Sequence, residues 1–216
     1  MAAKSSMQAE NAKNDPDETR TNILDVATRE FADKGLAGAR IDEIADKTNS
    51  SKRMIYYYFG GKDELYRAVL ERSYAAIRER EAAANFEALP ADEALAAHVG
   101  HTFDYHAAHP EFIRLVMNEN IHRAEHLAHV PGIEDRNKMV ISSLQAIIDK
   151  GVTAGLFRAG IDPVDLHMSI SALCFFNVSN RYTFSTIFSR DIGAPEAMER
   201  RRAQVIDTIL ASVRVN

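Results

Sequence analysis

The sequence predicts an all-α fold of about nine helices, and three observations carry that expectation. Apolar residues recur at spacings of three and four along most of the chain, and no alternating run longer than a few residues points to a strand. Glycine and proline are scarce, 10 and 6 among 216 residues, so few positions interrupt a helix. Those that occur stand at the edges of the periodic stretches, where helices start and stop.

Met1 to Asp17 mix Lys, Ser, Gln, Asn and Asp without a period and read as a disordered tail, residues 1–17. The first helix begins near Thr19 or Thr21 with a hydroxyl cap, aligns Ile23, Ala27 and Phe31, and ends at Gly35. A short second segment aligns Ile41, Ile44 and Ala45 and stops near Thr48. A third runs from Ser51 to Phe59 and is closed by Gly60-Gly61. The fourth starts at Lys62, carries Leu65, Val69 and Ile77, and meets no breaker before about Asn85. Pro90 opens a fifth with Leu95, Val99, Phe103 and His106. Pro110, at a first-turn position, opens a sixth with Phe112, Ile113 and Val116. Beyond Pro131-Gly132 lies a seventh with Ile133, Val140, Leu144, Ile147 and Ile148, ending between Gly151 and Gly155. Asp162-Pro163 is a cap and first-turn pair for a long eighth helix towards Ile187. Gly193 and Pro195 reset the chain before a ninth with Met198, Val205, Ile209 and Val213. The expected division is a three-helix domain over 18–64 and a larger helical domain over 65–216.

Composition narrows the function classes. Lys+Arg 26 against Asp+Glu 31 gives a net charge of −5, so the molecule is no polycation, and any nucleic-acid binding must come from a local patch. A single cysteine, Cys174, forbids an intrachain disulfide. No apolar run approaches the roughly 18 residues of a membrane span, and Met1 to Asp15 lack the apolar stretch of a signal peptide. A cytoplasmic protein without membrane contact is the expectation.

Residues Arg40 to Lys62 read RIDEIADKTNSSKRMIYYYFGGK, two short helices joined by a tight turn at Asn49-Ser50, the proportions of a helix-turn-helix. Asparagine suits the turn because it tolerates a left-handed backbone. Stepping about 100° per residue from Ile55 places Ser51 and Phe59 within roughly 40° of it, facing inward. Arg53 and Tyr57 fall on the opposite side, flanked by Met54 and Tyr56, with Lys52 at the edge. No acid occurs between Asp46 and Asp63, whereas Lys47, Lys52, Arg53 and Lys62 are cationic. A solvated charged surface would carry the same charges. Two adjacent exposed tyrosines argue against it, since their exposure gains nothing for folding. A basic, aromatic outer face is what a major-groove reader needs: lysine and tyrosine hydroxyls hold phosphates, and Arg53 can fork onto a guanine edge.

The pieces ILDVATREFADKG, IDEIADKTNSSKRMIYYYF and KDELYRAVL, from Ile23 to Leu70, resemble the N-terminal domain of the TetR family of bacterial transcriptional regulators. Two departures stand out. The family usually has a small residue, Gly and Val where this chain has Thr48-Asn49-Ser50, and Gly-Thr where it has Arg53-Met54. Asn49 can replace the glycine conformationally, Ser50 puts a hydroxyl where an apolar anchor is usual, and Arg53-Met54 alter the reading face. The resemblance implies phosphate contacts from Arg40, Lys52, Tyr56 and Lys62, and base or groove contacts from Ser51, Arg53, Met54 and Tyr57. It further implies that the remaining helices bind an effector and form a homodimer, and that the whole is a repressor of a palindromic operator.

The residues of the C-terminal half are compatible with this. SISALCFFNVSNRYTF, Ser169 to Phe184, is apolar on nearly every face, so it must be covered on all sides. Val205, Ile206, Ile209 and Leu210 offer a matching stripe on the last helix for a partner subunit. The alternative is that both helices close a monomeric core. Polar residues on apolar helices mark a candidate pocket: Asn177 and Arg181, one turn apart, with Phe103, His106, Phe112 and Met117 upstream. Such a lining suits a small aromatic or heterocyclic acid. Interface or capping roles for Asn177 and Arg181 remain the competing reading. HPEFIRLVMNEN is also similar to the pyrimidine-responsive branch of the family.

No cofactor, metal or catalytic role is expected. G-x-S-x-G, the P-loop, G-x-G-x-x-G and C-x-x-C are all absent. His122, Glu125 and His126 spell H-x-x-E-H, but in a loop-like stretch before Pro131-Gly132, where a zinc protease needs a long helix. His98 with His101, and His106 with His109, read as helix-face residues, and Cys174 as a packed small residue.

Overall fold

The computed structural model describes residues 16–215. It contains ten α-helices and two 3-10 turns among the described residues, with no strand beyond one isolated antiparallel bridge between Phe157 and Arg214. No described helix is long and apolar enough to cross a membrane. The chain divides into two compact units, with the boundary between Val69 and Leu70; the expected boundary stood between 64 and 65. The tail expected over 1–17 lies outside the described residues except for Pro16 and Asp17, which are helical.

The first unit holds α1 (Pro16–Gly38), α2 (Ile41–Lys47), α3 (Lys52–Phe59) and the start of α4 (Lys62–Ala83). Ile23, Ala27 and Phe31 are fully buried, as their spacing requires, and the Phe31 ring meets Tyr66 edge-on at 5.0 Å. Helix α1 starts earlier than expected because Pro16 takes the first-turn position that a proline fits. Gly35 does break the helix, with φ 67° and ψ 173°, and one further turn carries the chain to Gly38. Ile44 and Ile55 are buried at 0 % exposure between α2 and α3. This core resists separation, because each such side chain removes enough apolar surface from water to contribute about 2 kcal/mol.

In the second unit α5 (Ala91–Ala108) is the central helix, packed against α7 (Ile133–Thr153), α8 (Pro163–Ser179) and α10 (Pro195–Val213). Leu95, Val99 and Phe103 of α5 share a core with Leu144, Ile148, Ile170, Cys174 and Ile209. A smaller cluster joins Ile77 and Tyr105 to Phe112 and Ile113 of α6 (Pro110–Ile121). Asp162 caps α8 by accepting the backbone N–H groups of Val164 (2.7 Å) and Asp165 (3.1 Å), with Pro163 behind it in the first turn. Gly151 is needed for close approach: a Cβ there would run into the buried ring of Phe157.

Two expectations about this unit need correction. The long eighth helix breaks at Asn180, giving α8 and a separate short α9 (Arg181–Ile187); that break is the source of the tenth helix. On α10, Val205, Ile209 and Leu210 turn into the unit's own core, at 1 %, 2 % and 9 % exposure. Apolar side chains are left open on α8, where Val164, Met168 and Phe176 are exposed at steps of four and eight, and on and just after α9, where Tyr182, Ile187 and Phe188 are exposed.

Candidate nucleic-acid interface and effector cavity

Helices α2 and α3 are joined by Thr48 to Ser51. Thr48 is buried and its hydroxyl donates to the carbonyl of Ile44 at 2.8 Å, while the Ser50 N–H donates to Ala45 at 3.0 Å. Asn49 takes φ 50°, the left-handed conformation its sequence position called for. The Ser50 hydroxyl, placed where an apolar anchor is usual, donates to the Thr48 carbonyl at 3.4 Å. The turn is thus closed by hydrogen bonds.

On α3 the two faces separate as the helical phase required for all but one residue. Ile55 and Phe59 are buried; Lys52, Arg53, Met54, Tyr56 and Tyr57 are exposed, Tyr57 to 79 %. The exception is Ser51, expected to face inward. It is exposed and lies outside the helix as its N-cap, with extended φ/ψ, so the 100° step does not apply to it. Its hydroxyl accepts the Met54 N–H at 3.2 Å. Gly60, at φ 87°, ends the helix, and its N–H donates to Tyr56 at 2.8 Å.

The cations are not equally free. Lys52 pairs with Asp42 of α2 at 2.5 Å, and Asp42 also faces Arg40 at 3.8 Å. The ammonium of Lys52 holds the Asp42 carboxyl below its usual pKa. Counting acids along the sequence missed this neighbour, because it arrives from the preceding helix. Lys47 is taken up by Glu30, which also binds Lys34 and is held below the usual carboxylate range by both. Lys62 donates to the Ala37 carbonyl at 3.4 Å. The Lys52–Asp42 pair is exposed and solvent-screened, so a phosphate can replace the Asp42 carboxylate at little cost.

In the second unit the six residues expected to line one pocket are dispersed. Met117, Asn177 and Arg181 border one hollow of about 240 Å³, whereas Phe103 borders another beside Asp104 and Arg202. His106 and Phe112 are buried, their rings 6.0 Å apart. Asn177 donates to the Met198 sulfur at 2.8 Å, and Arg181 donates to the Gly193 carbonyl at 3.1 Å, closing the loop after α9. His122, Glu125 and His126 follow the end of α6, and Arg123 and Ala124 have positive φ, so the two histidines do not share a helix face. No cluster of three or more metal-ligating side chains occurs among the described residues.

A further cavity, of about 250 Å³, opens between α4, the 3-10 turn Phe86–Ala88, α5 and α7. Arg78, Glu81, Phe86, His98, Val140 and Ser143 are among its walls. Arg78 pairs with Glu81 through Nη1 at 2.5 Å, leaving its buried Nε without a hydrogen-bond partner. His98 is 1 % exposed, and neither ring nitrogen has a partner. Burial first, then the neighbouring His167 and Arg78, push its pKa down to about 3; burial likewise takes His106 and His167 to about 4. Cys174 is driven up to about 12 by burial, so its thiol is inert. Arg78 and Glu81 escaped the sequence reading, and His98 entered it only as a helix-face residue. The available signal was phase: Leu70, Tyr74, Ile77 and Glu81, like Leu95, His98 and Thr102, follow the three-four step of a buried stripe.

Comparison with known proteins identifies what these two units are. Residues 23–69 match the family model described as bacterial regulatory proteins, tetR family, and residues 92–209 match the tetracyclin repressor-like C-terminal domain. The HTH-type transcriptional repressor NicS of Pseudomonas putida is 34% identical over 198 residues, 92% of this chain and 93% of that protein. The HTH-type transcriptional repressor SCO4008 of Streptomyces coelicolor is 33% identical over 163 residues, 75% of this chain and 79% of that protein. Among solved structures, a tetR-family regulatory protein from Rhodococcus RHA1 superposes with a TM-score of 0.72 at 21% identity, covering 92% of this chain and 98% of that one, which shows a shared fold. With its N-terminal helix-turn-helix, C-terminal helical domain and full-length relatives named as repressors, the chain belongs to the TetR family of DNA-binding transcriptional regulators.

Proposed function

We propose that the chain is a repressor that binds a palindromic operator as a homodimer and is released by a small aromatic or heterocyclic acid. The observation that carries this is the outer face of α3, where Lys52, Arg53, Met54, Tyr56 and Tyr57 stand exposed on a helix anchored by Ile55 and Phe59. In this reading Arg40, Lys52, Tyr56 and Lys62 hold phosphates, while Ser51, Arg53, Met54 and Tyr57 meet the groove floor. The N-cap role of Ser51 supports placing the start of α3 at the bases, since recognition helices read with their N-terminal residues.

The exposed apolar row of α8 and α9 supports the homodimer, because a patch of that kind on a lone chain marks an interaction surface. Two recognition helices set about 34 Å apart then read the two halves of a palindrome. The effector acts by binding one arrangement of the dimer better than another; equal affinity for both would shift nothing. Operator and effector must therefore oppose each other reciprocally. In this reading the role is binding rather than catalysis, and the protein works in the cytoplasm, where its operator DNA would be.

The test is fluorescence anisotropy of the purified protein on the DNA upstream of its own gene, titrated against salt. Binding that exceeds random DNA by ~10³ or more and weakens steeply with salt is expected. Equal affinity for that fragment, its flanking regions and random DNA would contradict specific operator reading.

A further inference from the structure

We propose that the hollow bordered by the end of α8, α9, the loop 188–194 and the start of α10 binds an aromatic phosphate. The phosphate sits on Arg190, Arg200 and Arg201, and the ring against Phe176 and Phe184. The site lies in the second unit and shares no residue with the α3 face or with the cavity beside His98.

Charge is the first support. The hollow measures about 310 Å³, its walls include the three arginines, and no acid lines it among the described residues. Arg190 and Arg200 are exposed, and among the described residues their side chains have neither an ion pair nor a hydrogen bond. Arg201 is held by Gln204, another wall residue, at 3.1 Å. Acids close in sequence are engaged or turned elsewhere. Asp191 accepts the Gly193 N–H at 2.8 Å, and Glu199 borders a different hollow with Asp104 and Arg202. A chain of net charge −5 thus gathers three cations around one opening without a counter-charge. A cleft lined by one sign of charge concentrates ions of the other.

The loop that presents Arg190 is tied down. The Arg190 N–H donates to the Ser185 carbonyl at 3.0 Å, the Ile192 N–H donates to the Ser185 hydroxyl at 3.2 Å, and Arg181 holds the Gly193 carbonyl at 3.1 Å. Arg200 and Arg201 leave α10 about 100° apart. Guanidinium groups arriving from a loop and from two directions on a helix suit the spread oxygens of a phosphate better than one flat carboxylate. Ala197, in the first turn of the 19-residue α10, is also a wall, so the positive end of that helix borders the same space.

The aromatic part follows from the remaining walls. Phe176 is exposed and Phe184 half-buried, their rings edge-on at 5.7 Å. An aromatic ring packs favourably on such a pair. A cavity of about 150 Å³ lined by apolar side chains holds benzene, so a hollow of about 310 Å³ has room for a ring and a phosphate together. Phe176 also belongs to the exposed apolar side chains of α8, so a second copy of the chain is the competing occupant, and the test includes the state of association.

Calorimetric titration of the full chain with phenyl phosphate, inorganic phosphate, phthalate and phenol, at one ionic strength set with potassium chloride, tests the site. Phenyl phosphate should bind saturably at millimolar concentration or below. Inorganic phosphate and phthalate should bind about tenfold more weakly, and phenol should not bind measurably. Arg190→Gln and Arg200→Gln should each weaken phenyl phosphate by about tenfold or more. Both side chains are exposed, so the two variants should melt as the wild type does. No saturable binding of phenyl phosphate, equal binding of phenol, or undiminished binding by both arginine variants would overturn the proposal. Phthalate binding as tightly as phenyl phosphate would overturn the assignment of a phosphate. Sedimentation of the same samples reads the competing occupant. If the wild type takes up no phenyl phosphate and Arg200→Gln dissociates an assembled chain, the arginines serve a second copy and the proposal falls. No DNA is present in these titrations, so their failure leaves operator reading untouched, and failure of operator reading leaves the site.

Discussion

The two units of this molecule differ in where they leave their unpaired polar side chains. On α3 the polar side chains Lys52, Arg53, Tyr56 and Tyr57 face water, Tyr57 at 79 % exposure, and the fold beneath them rests on Ile55 and Phe59. Between α4, α5 and α7 they are interior, with His98 1 % exposed and its nitrogens without a hydrogen-bond partner. An exposed reading face can change without disturbing the core, so operator preference is separable from stability. Buried polar groups are not separable in this way, because a change to them also changes what the fold costs.

The largest effect that would sharpen this contrast comes from beneath the reading face. Ile55→Ala leaves a cavity at a fully buried position and should destabilise the first unit by about 2–5 kcal/mol, read by urea unfolding. A loss within the scatter of surface substitutions would mean that α3 is not anchored as described. The second unit should be the acid-sensitive one. His98, His106 and His167 have native pKa values of about 3 to 4, below the ordinary value of 6.5. The unfolded chain therefore binds more protons between those limits. Stability is full above about pH 6.5 and falls as the pH drops towards 4, by on the order of 1 kcal/mol per pH unit for each histidine. Melting temperatures of the wild type and His98→Phe from pH 7 to 4.5 should diverge, with the variant losing less; parallel curves would remove His98 from the account.

Smaller effects test local packing. Gly151→Ala forces a methyl against the Phe157 ring and should cost about 1–3 kcal/mol by thermal unfolding, whereas a neutral result would show that Phe157 can move aside. Ser51→Ala removes the cap of α3 and should cost about 1 kcal/mol, with a matching fall in operator affinity. Retained stability and affinity together would deny the cap any role in presenting the face.

The same contrast explains what the sequence made legible. Helix starts followed from local chemistry at Pro110, Asp162-Pro163 and Pro195, and the left-handed turn from Asn49. The outer face of α3 followed from phase alone, since one short helix fixes which side chains share a side. Ser51 failed that rule because a cap residue leaves the helical phase, and the Lys52–Asp42 pair was invisible because its acid comes from another helix. The break at Asn180 had no glycine or proline to announce it. In the second unit the polar groups around the cavity come from residues as far apart as Arg78 and Ser143, and only packing brings them together. Asn177 and Arg181 stood out as polar residues on an apolar stretch, yet Arg181 is engaged by Gly193 and Asn177 by Met198.

The central claim is that the exposed face of α3 reads base sequence, and Arg53→Ala tests it most directly because Arg53 is exposed and its loss leaves the core intact. Anisotropy titrations should compare the variant with the wild type on operator and on random DNA at one salt concentration. Operator affinity should fall by about 1–3 kcal/mol while affinity for random DNA changes little. Equal losses on both would show that Arg53 contributes only charge, and that the reading face lies elsewhere.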